Sequence, residues 1–585
     1  APGSGLEWQL RVRVYHKAQV IRFQMTWVLH WDPEKYALAS AKWVVEFEDR
    51  LSRACIPSLT EMLDLAQGEV SIESTPEGRS RLIQGGEEIF KAEYPESKLH
   101  VWLIQSGDSY ISIGSVNGTR LGPNHVSVDS NRLEFAAWSE RLGYGLDLRK
   151  TVKPDEYEAD LNGEGVGLGR TVEASLCWAD TAEAATWLGT IEANRDSLWF
   201  PSFEDLVETG AMEPWDIDVL EENHEYFQGL KANIYFLLSS RDRWRWNGFI
   251  NYGDVRTNFA LNNNIDRGLY SLRWALHGRY GWRNGSGDVY KGLITAGLVL
   301  EDRTILLGAI DYALHVADVD VCHSSFFKGL SGLQGGMHRR NKNHWSGLIQ
   351  TQYTSSTGLY LAKWLTGHER FSEVLEEIRE YSKGSSRGSA FPASAWINHY
   401  AETHDPKSLD IAENLLADCV DYWKSSIGKT DSFWKSILNL ILRRSAPLKA
   451  DEISLIYTDN FRRTIDGIPI LVEFHKNTDD DMYLQAILES VLSHGLPDSP
   501  NANLSEYYPI AYLLANGISE GSIGSPILIK ARDQINSLMP LEIPDESEWD
   551  YERLVEIITT LLPPKGNPGY RESASIGWRG AFLDH

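Results

Sequence analysis

The chain has 585 residues, of which 42% are hydrophobic and 24% are charged. These values are typical of a globular protein and exclude a wholly disordered or fibrous chain. Lys and Arg number 56 and Asp and Glu number 82, which leaves a formal net charge of −26. A charge this negative argues against non-specific binding to nucleic acid or to an anionic membrane surface.

The aromatic content is high, with 21 Trp and 25 Tyr. Such side chains either fill a core or line a cleft, where they can stack on the flat faces of sugar rings. The four cysteines lie far apart and form no C-x-x-C pair, which argues against both a zinc site and a disulfide framework. The chain starts at Ala1, as a processed end or a tag would, so a cytoplasmic, periplasmic or secreted location stays open.

The N-terminal region, residues 1–205, is predicted to be a β-sandwich region of one or two subdomains. Leu10 to Tyr15 alternates apolar and polar residues with period two, which predicts a strand with one wet face. The β-prone runs 100–105 and 110–114 flank a turn sequence and predict a hairpin. Further strands are predicted at 133–138, 144–148 and 171–178, and many short strands with Gly and Asn turns favour antiparallel sheets.

Helical periodicity begins with Glu222 to Leu238, so residues 206–240 are predicted as a linker and first helix. Paired amphipathic stretches then follow around short polar turns at residues 301–303, 366–369, 404–406 and 477–480. Repeated helix hairpins without a strict period favour a closed α/α toroid over a solenoid. The predicted fold is therefore α+β and multidomain, with a β-sandwich region followed by an α/α toroid catalytic domain at 241–585.

Polar and aromatic residues concentrate in four clusters between Trp246 and Tyr353. The first ends in Asn251, Tyr252 and Asp254, and the second contains Asn263 and Asp266. The fourth has two His, two Arg and a Lys within residues 338–344, followed by Trp345. A cationic segment in so acidic a chain predicts a site for a carboxylate, although a solvated basic loop has the same composition.

The third cluster combines acids and histidines. His315 and Asp318 are three residues apart, as are Asp320 and His323, so each pair is predicted to share a helix face. No cofactor is expected, but a divalent metal near Asp318, Asp320 and His323 is one alternative, because carboxylate and imidazole groups both bind such ions. Hydrogen bonding to a substrate and a purely structural role are the other two.

Four motifs in this order resemble a known family. They are 167–173 (GLGRTVE), 251–254 (NYGD), His315 with Asp318, Asp320 and His323, and His338-Arg339 with His344, Trp345 and Tyr353. The pattern is similar to the exo-rhamnogalacturonan lyase-like group of carbohydrate-active enzymes, whose relatives include ulvan lyases and exo-β-glucuronidases. The motifs span residues 165–380. The resemblance implies a β-sandwich packed on an α/α toroid, with a uronic acid bound in the cleft.

Two reactions fit a uronate substrate. β-Elimination requires a group that neutralises the carboxylate, a base at C5 and an acid at O4. Arg339 with Asn263 could bind the carboxylate, His338 or His344 could take the proton, and Tyr353 could protonate the leaving group. The remaining candidates for substrate binding are Asn251, Tyr252, Asp266, His323, Arg340 and Trp345.

Hydrolysis instead requires two carboxyl groups that flank the glycosidic oxygen. The acids available for it are Asp254, Asp266, Asp318 and Asp320, of which Asp254 and Asp320 are the primary candidates. A non-catalytic glycan-binding protein is a third alternative. The sequence leaves the polymer, the linkage and the oligomeric state open.

Overall fold

The computed structural model describes residues 5–30, 36–75, 79–92, 101–115, 124–142, 146, 167–209, 211, 224–243, 248, 252–255, 288–324, 333–337, 349, 354–383, 389–427, 470, 474, 477 and 478.

The N-terminal region contains two antiparallel sheets. The first has seven strands in the order β1-β2-β13-β10-β9-β4-β5, and the second has six in the order β3-β12-β11-β6-β7-β8. The strands are β1 Leu6–Tyr15, β2 Val20–Leu29, β3 Ala41–Glu46, β4 Leu51–Cys55, β5 Leu63–Asp64, β6 Val70–Ser74, β7 Ser80–Gln84, β8 Glu87–Ala92, β9 Val101–Ser106, β10 Ser109–Ser115, β11 Asn124–Val128, β12 Arg132–Trp138 and β13 Gly169–Ala179.

One apolar core lies between the two sheets. Trp43 of β3 stacks on Phe23 of β2 and on Phe135 of β12, with ring centroids 5.0 Å and 5.5 Å apart. Strand β13 is buried on nearly its whole length, because it has this core on one face and helical structure on the other. That double burial explains its continuous run of small and apolar residues.

The predicted hairpin is confirmed by β9 and β10, which pair from Ser106 opposite Ser109 to Val101 opposite Gly114. The predictions at 133–138 and 171–178 are confirmed by β12 and β13. Of the predicted strand at 144–148, only Leu146 lies within the described residues, where it forms an isolated bridge to Leu38.

Strand β1 is confirmed as a strand, but the expected orientation of its faces is wrong. Its apolar side chains are exposed, whereas Arg11 is 12% exposed and pairs with Glu369 and Glu373 of the helical region. The physical reason is that β1 is the outermost strand of its sheet, and its apolar face extends past the opposite sheet.

The described helices begin directly after β13. They are α1 Ala182–Ala193, α2 Phe203–Thr209, α3 His224–Arg243, α4 Val289–Val299, α5 Arg303–His315, α6 Thr357–Thr366, α7 Glu369–Ser382, α8 Phe391–Thr403 and α9 Pro406–Ile427. None of them is both long enough and apolar enough to cross a membrane. A second apolar core, formed by side chains of these helices, is separate from that of the sandwich.

Three of the four predicted interhelical turns are confirmed, and each has a local cause. Asp302 caps α5 by accepting a hydrogen bond from the Ile305 N–H, with an oxygen–nitrogen distance of 3.1 Å. Gly367 and His404 end α6 and α8 in the left-handed conformation. The resulting helix hairpins are α4–α5, α6–α7 and α8–α9.

The fourth predicted turn is wrong at its first two residues. Asn477 and Thr478 are helical, and the Thr478 hydroxyl donates to the Phe474 carbonyl one turn earlier, at 2.9 Å. Such a bond keeps the hydroxyl satisfied inside a helix. Asp479 and Asp480, and most of residues 428–585, lie outside the described residues, so closure of the hairpins into a toroid stays a prediction.

A buried ion pair joins the sandwich to the helices. The Asp318 carboxylate accepts hydrogen bonds from Arg370 Nε at 2.8 Å and from Thr171 at two atoms, the backbone N–H at 2.7 Å and the hydroxyl at 2.9 Å. The side chains of Asp318 and Arg370 are 0% and 4% exposed. A buried charge without its partner is strongly unfavourable, so the two sides of this contact depend on each other.

Replacement of Arg370 by Met should therefore destabilise the protein by about 3–5 kcal/mol, because the Asp318 carboxylate would stay buried without its cation. The free energy of unfolding from denaturant titration measures this effect. Lys383→Met is the control, since Lys383 pairs with Glu380 at an exposed position near the end of the same helix and should cost at most ~1 kcal/mol. Equal losses for both variants would contradict the account.

Candidate functional site

Helix α5 does not end in a regular α-helical turn. After His315 the chain continues as a π-helical turn over Val316–Asp320 and becomes extended at Val321. The wider turn rotates the side chains relative to α-helical spacing, so the prediction that His315 and Asp318, and Asp320 and His323, share an α-helical face is wrong. Single π turns of this kind occur frequently at functional sites.

His315 instead lies between two acids. Its Nε2 is 3.3 Å from Asp254 Oδ2 and 3.9 Å from Asp320 Oδ1, and all three side chains are at most 1% exposed. The His315 Nδ1 lies 3.1 Å from the Tyr252 carbonyl oxygen, which identifies Nδ1 as the protonated nitrogen because a carbonyl can only accept. The structure thus brings Asp254 and Asp320, 66 positions apart in sequence, to the same imidazole.

The electrostatics of this acid–His–acid cluster are asymmetric. Burial and the negative charge of Asp254 raise the pKa of Asp320 well above its ordinary value. Two neighbouring buried carboxyls cannot both ionise at low cost, so Asp320 keeps a proton under conditions in which an exposed aspartate would be charged. The cluster therefore combines an acid whose neutral form is favoured, a second carboxyl group and an imidazole.

The turn that carries Asp254 is held tightly in place. Arg241 donates to the carbonyl oxygens of Gly253 and Asp254 at 2.5 Å and 3.0 Å. Gly253 has a φ of +85°, and a Cβ at this position would lie 2.3 Å from the Asp311 carbonyl oxygen. Glycine is needed here for both its conformation and its lack of a side chain, which explains the Gly in the Tyr252-Gly253-Asp254 sequence.

Tyr252 is buried beside two arginines and an acid. Its hydroxyl donates to Asp311 Oδ2 at 3.1 Å, and Asp311 in turn pairs with Arg195 at 2.9 Å. The Arg170 guanidinium lies 5.3 Å from the ring centroid and donates to the Tyr252 carbonyl at 3.2 Å. Burial lowers the pKa of Arg170, although the charge of Asp318 opposes that effect. Through these contacts Tyr252 fixes the position of the turn that carries Asp254.

His323 lies apart from the acid–His–acid cluster. Its Nδ1 is 2.5 Å from Glu377 Oε2, and its Nε2 is 2.9 Å from Arg370 Nη2. Burial opposes ionisation of Glu377, but His323 and Arg370 outweigh that effect and lower its pKa. Both ring nitrogens of His323 face protein groups, and its role in substrate binding stays a prediction.

The two residues that flank segment 338–353, Met337 and Thr354, are bonded to each other. Met337, directly before it, forms a β-bridge with Val321, and its N–H donates to the hydroxyl of Thr354, directly after it, at 3.2 Å. Two further backbone bonds, between Cys322 and the residues Gly335 and Gly336, strengthen this junction. Met337 thus bridges to Val321, which directly follows Asp320 in the chain, and segment 338–353 begins at the residue after Met337.

Most of the predicted site residues lie outside the described residues: Asn251, Asn263, Asp266, His338, Arg339, Arg340, His344, Trp345 and Tyr353. Of the others, Asp254, Asp320 and Tyr252 are brought together around His315. Asp318 binds Thr171 and Arg370 instead. Within the described part of the chain, no group of three His, Cys, Asp or Glu residues has an arrangement that could hold a metal ion.

Sequence reasoning missed Asp288, which directly precedes α4. Its carboxylate accepts hydrogen bonds from the Ser355 hydroxyl at 2.5 Å and from the Gly358 N–H at 3.2 Å. Burial raises the pKa of Asp288 to about 6. No spacing pattern marks this residue, because its partners come from a segment that begins 67 positions later.

The comparisons with known proteins are sparse. No family model matches the chain, and no curated protein matches it. Among solved structures, the chain is similar to one described as a polysaccharide lyase, with 8% identity and a TM-score of 0.29 over 91% of this chain and 80% of that chain. A likeness at this level assigns neither an activity nor a substrate to this chain.

Replacement of Asp288 by Asn should change how stability depends on pH. The pKa of Asp288 is raised on folding from 3.8 to about 6, so between these values the folded state binds more protons than the unfolded state. The stability of the wild type should therefore fall by about 3 kcal/mol, relative to Asp288→Asn, as the pH rises from about 4 to above 6. Denaturant titrations of both proteins across this window measure the difference, and parallel curves would contradict it.

Proposed function

We propose that this protein is a carbohydrate-active enzyme that cleaves a uronate-containing glycan by β-elimination. One observation carries the proposal. Two of the polar sequence clusters meet around His315, where the Asp254 turn adjoins the π-helical turn, and Val321, directly after that turn, bridges to Met337, the residue before segment 338–353. Active sites are places where perturbed titratable groups and convergent polar groups occur together.

The charge distribution supports a uronate as the substrate. The segment 338–344 contains two His, two Arg and a Lys in a chain with a net charge of −26. An anionic polymer would be repelled by most of such a surface, so a local cationic segment is required to bind it. In the proposed reaction Arg339, with Asn263, neutralises the uronate carboxylate and thereby makes the C5 proton more acidic.

The remaining steps follow from the elimination itself. His338 or His344 removes the C5 proton, a double bond forms between C4 and C5, and the C4–O4 bond breaks. Tyr353 donates its proton to the departing O4. The acid–His–acid cluster has a positioning role in this proposal, because its three side chains are at most 1% exposed. It holds the Asp254 turn against the π-helical turn.

Hydrolysis is the second candidate, and a specific observation favours it. The raised pKa of Asp320 favours its neutral form beside the carboxyl of Asp254, and a protonated acid paired with a carboxylate is the combination that glycoside hydrolysis uses. Against it, both carboxyls face His315 in the interior, whereas a hydrolase must present them to a glycosidic oxygen. For this reason elimination is the primary proposal.

The direct test is digestion of purified uronate-containing glycans, including ulvan, rhamnogalacturonan, gum arabic and glucuronide oligosaccharides. Ultraviolet absorbance and reducing ends should be followed together. Elimination gives an absorbing conjugated uronate in step with each new reducing end. New reducing ends without absorbance would support the hydrolase and overturn the lyase. Binding to these glycans without either signal would instead support a glycan-binding protein.

Arg339→Ala should reduce activity far more than stability. The loss of its pairing with a substrate carboxylate should cost about 1.5–3 kcal/mol or more in kcat/KM. Arg339→Lys should restore part of the activity, because an ammonium group keeps the charge but cannot bind a carboxylate in bidentate fashion. Near-normal turnover of the Ala variant, with an unchanged melting temperature, would show that another residue binds the carboxylate.

Tyr353→Phe separates the two reactions. It removes the proton that elimination consumes but keeps the ring, so kcat should fall by ~10²–10⁴-fold. Asp254→Asn and Asp320→Asn should then have smaller effects, through the geometry around His315. In a hydrolase this order reverses, since a carboxylate becomes indispensable and Tyr353→Phe is mild. A Tyr353→Phe variant with wild-type kcat would remove the proposed general acid.

A further inference from the structure

Strand β1 exposes a row of apolar side chains, although the side chains opposite them on β2 belong to the buried face of the same sheet. Trp8, Leu10, Val12 and Val14, here called the β1 stripe, are 63%, 40%, 50% and 63% exposed. Their partners across the strand pair are Trp27, Met25, Phe23 and Ile21 of β2, all of which belong to or pack against the sandwich core. The stripe is therefore a continuation of the core face that the second sheet does not cover.

On the other face of β1, two arginines contact the helical region. Arg13 Nη2 is 2.6 Å from Glu369 Oε1, and Arg11 pairs with Glu369 at 2.9 Å and with Glu373. These contacts fix the strand at ten residues of regular extended structure, Leu6–Tyr15. Within the described residues β1 is also the terminal strand of the seven-stranded sheet. A long, regular edge strand with an exposed apolar face is a typical site of strand pairing between chains.

We propose that β1 pairs with β1 of a second copy of this chain, antiparallel and about a two-fold axis at Leu10. The alternation of the strand makes this register self-complementary. The apolar pairs are Leu10 with Leu10, Trp8 with Val12, and Leu6 with Val14. On the opposite face, Glu7 lies across from Arg13 and Gln9 lies across from Arg11. The two sheets then form one continuous sheet across a symmetric interface.

The charge pattern is the reason for choosing a second copy and for choosing this register. Each copy has a net charge of −26, so two copies repel unless the contact itself is locally complementary. The register about Leu10 places Glu7 opposite Arg13 on both sides of the axis. If the two-fold axis lay one residue further along, at Arg11, the two copies of Arg11 would lie opposite each other. Like charges directly opposite each other are unfavourable.

The first test is the mass of the full chain in solution, measured by analytical ultracentrifugation over a range of concentrations. The wild type should show a concentration-dependent dimer. Leu10→Lys places two ammonium groups at the axis and should raise the dissociation constant by at least ~10-fold. The matched control is Val44→Lys, since Val44 is 39% exposed on β3 of the other sheet, and it should dimerise as the wild type does.

A monomer at all soluble concentrations would overturn the proposal, and so would equal effects of Leu10→Lys and Val44→Lys. A dimer that Leu10→Lys leaves unchanged would show that another surface is responsible and would also overturn it. Melting temperatures establish that each variant is folded. Because Leu10 is exposed, its replacement by Lys leaves the core of the monomer intact.

Charge reversal tests the register. Glu7→Arg and Arg13→Glu should each weaken the dimer, since each places like charges across the axis. The double variant restores opposite charges and should recover most of the affinity. These residues are six positions apart on one strand, so recovery reports contact between chains. Their contacts within the chain, Glu7 with His30 and Arg13 with Glu369, are lost in the double variant too. A folded double variant no tighter than the singles would overturn the register about Leu10.

Discussion

The buried carboxylate of Asp318 is the constraint on which the rest of this structure depends. It is held by the backbone and hydroxyl of Thr171 on one side and by Arg370 on the other. Strand β13 belongs to the sandwich, Asp318 to the π-helical turn and Arg370 to α7. One side chain therefore contacts both regions and helps to fix their relative position. Because every one of its partners is fixed, the turn cannot move without leaving a charge buried and unpaired.

Asp320, whose pKa is raised well above its ordinary value, lies directly along the chain from this contact. Two residues after Asp318, Asp320 faces His315 and Asp254 in the interior. The next residue, Val321, bridges to Met337. The ion pair between Asp318 and Arg370 thus holds the turn that carries Asp320. Burial of the acid–His–acid cluster is itself unfavourable, since polar groups without partners are costly at low dielectric. The cost of burying these acids is offset by arginines on neighbouring elements, Arg170 and Arg241, whose pKa values burial lowers.

The strands and helix hairpins could be predicted because they depend on local chemistry. The turn after β9 and the Asp302 cap of α5 are determined by residues a few positions apart. The buried face of β1 could not be predicted, because alternation defines two faces but not which one meets the rest of the protein. Among the candidate site residues, Asp254, Asp320 and Tyr252 lie together around His315, and their roles stay predictions. The shared helix faces expected within 315–323 are wrong, since an α-helical spacing does not hold across a π turn.

Long-range partners were missed for a related reason. Arg370 and Glu377 lie on an amphipathic helix whose charged residues look like a solvated face, yet both are bound to the buried groups Asp318 and His323. Asp288 has no sequence neighbour that indicates its burial. Only the tertiary contact distinguishes such residues from ordinary surface charges, because ionisable side chains are usually exposed.

Hydrogen–deuterium exchange on Asp318→Asn tests the central claim most directly. If this carboxylate holds the junction together, the substitution should accelerate exchange at β13 near Thr171, at the Asp254 turn, at the π-helical turn and at Gly335–Met337 together. Strands β6 to β8, far along the other sheet, should keep their wild-type rates and serve as the internal reference. Faster exchange confined to the π-helical turn, or unchanged exchange throughout, would contradict the account.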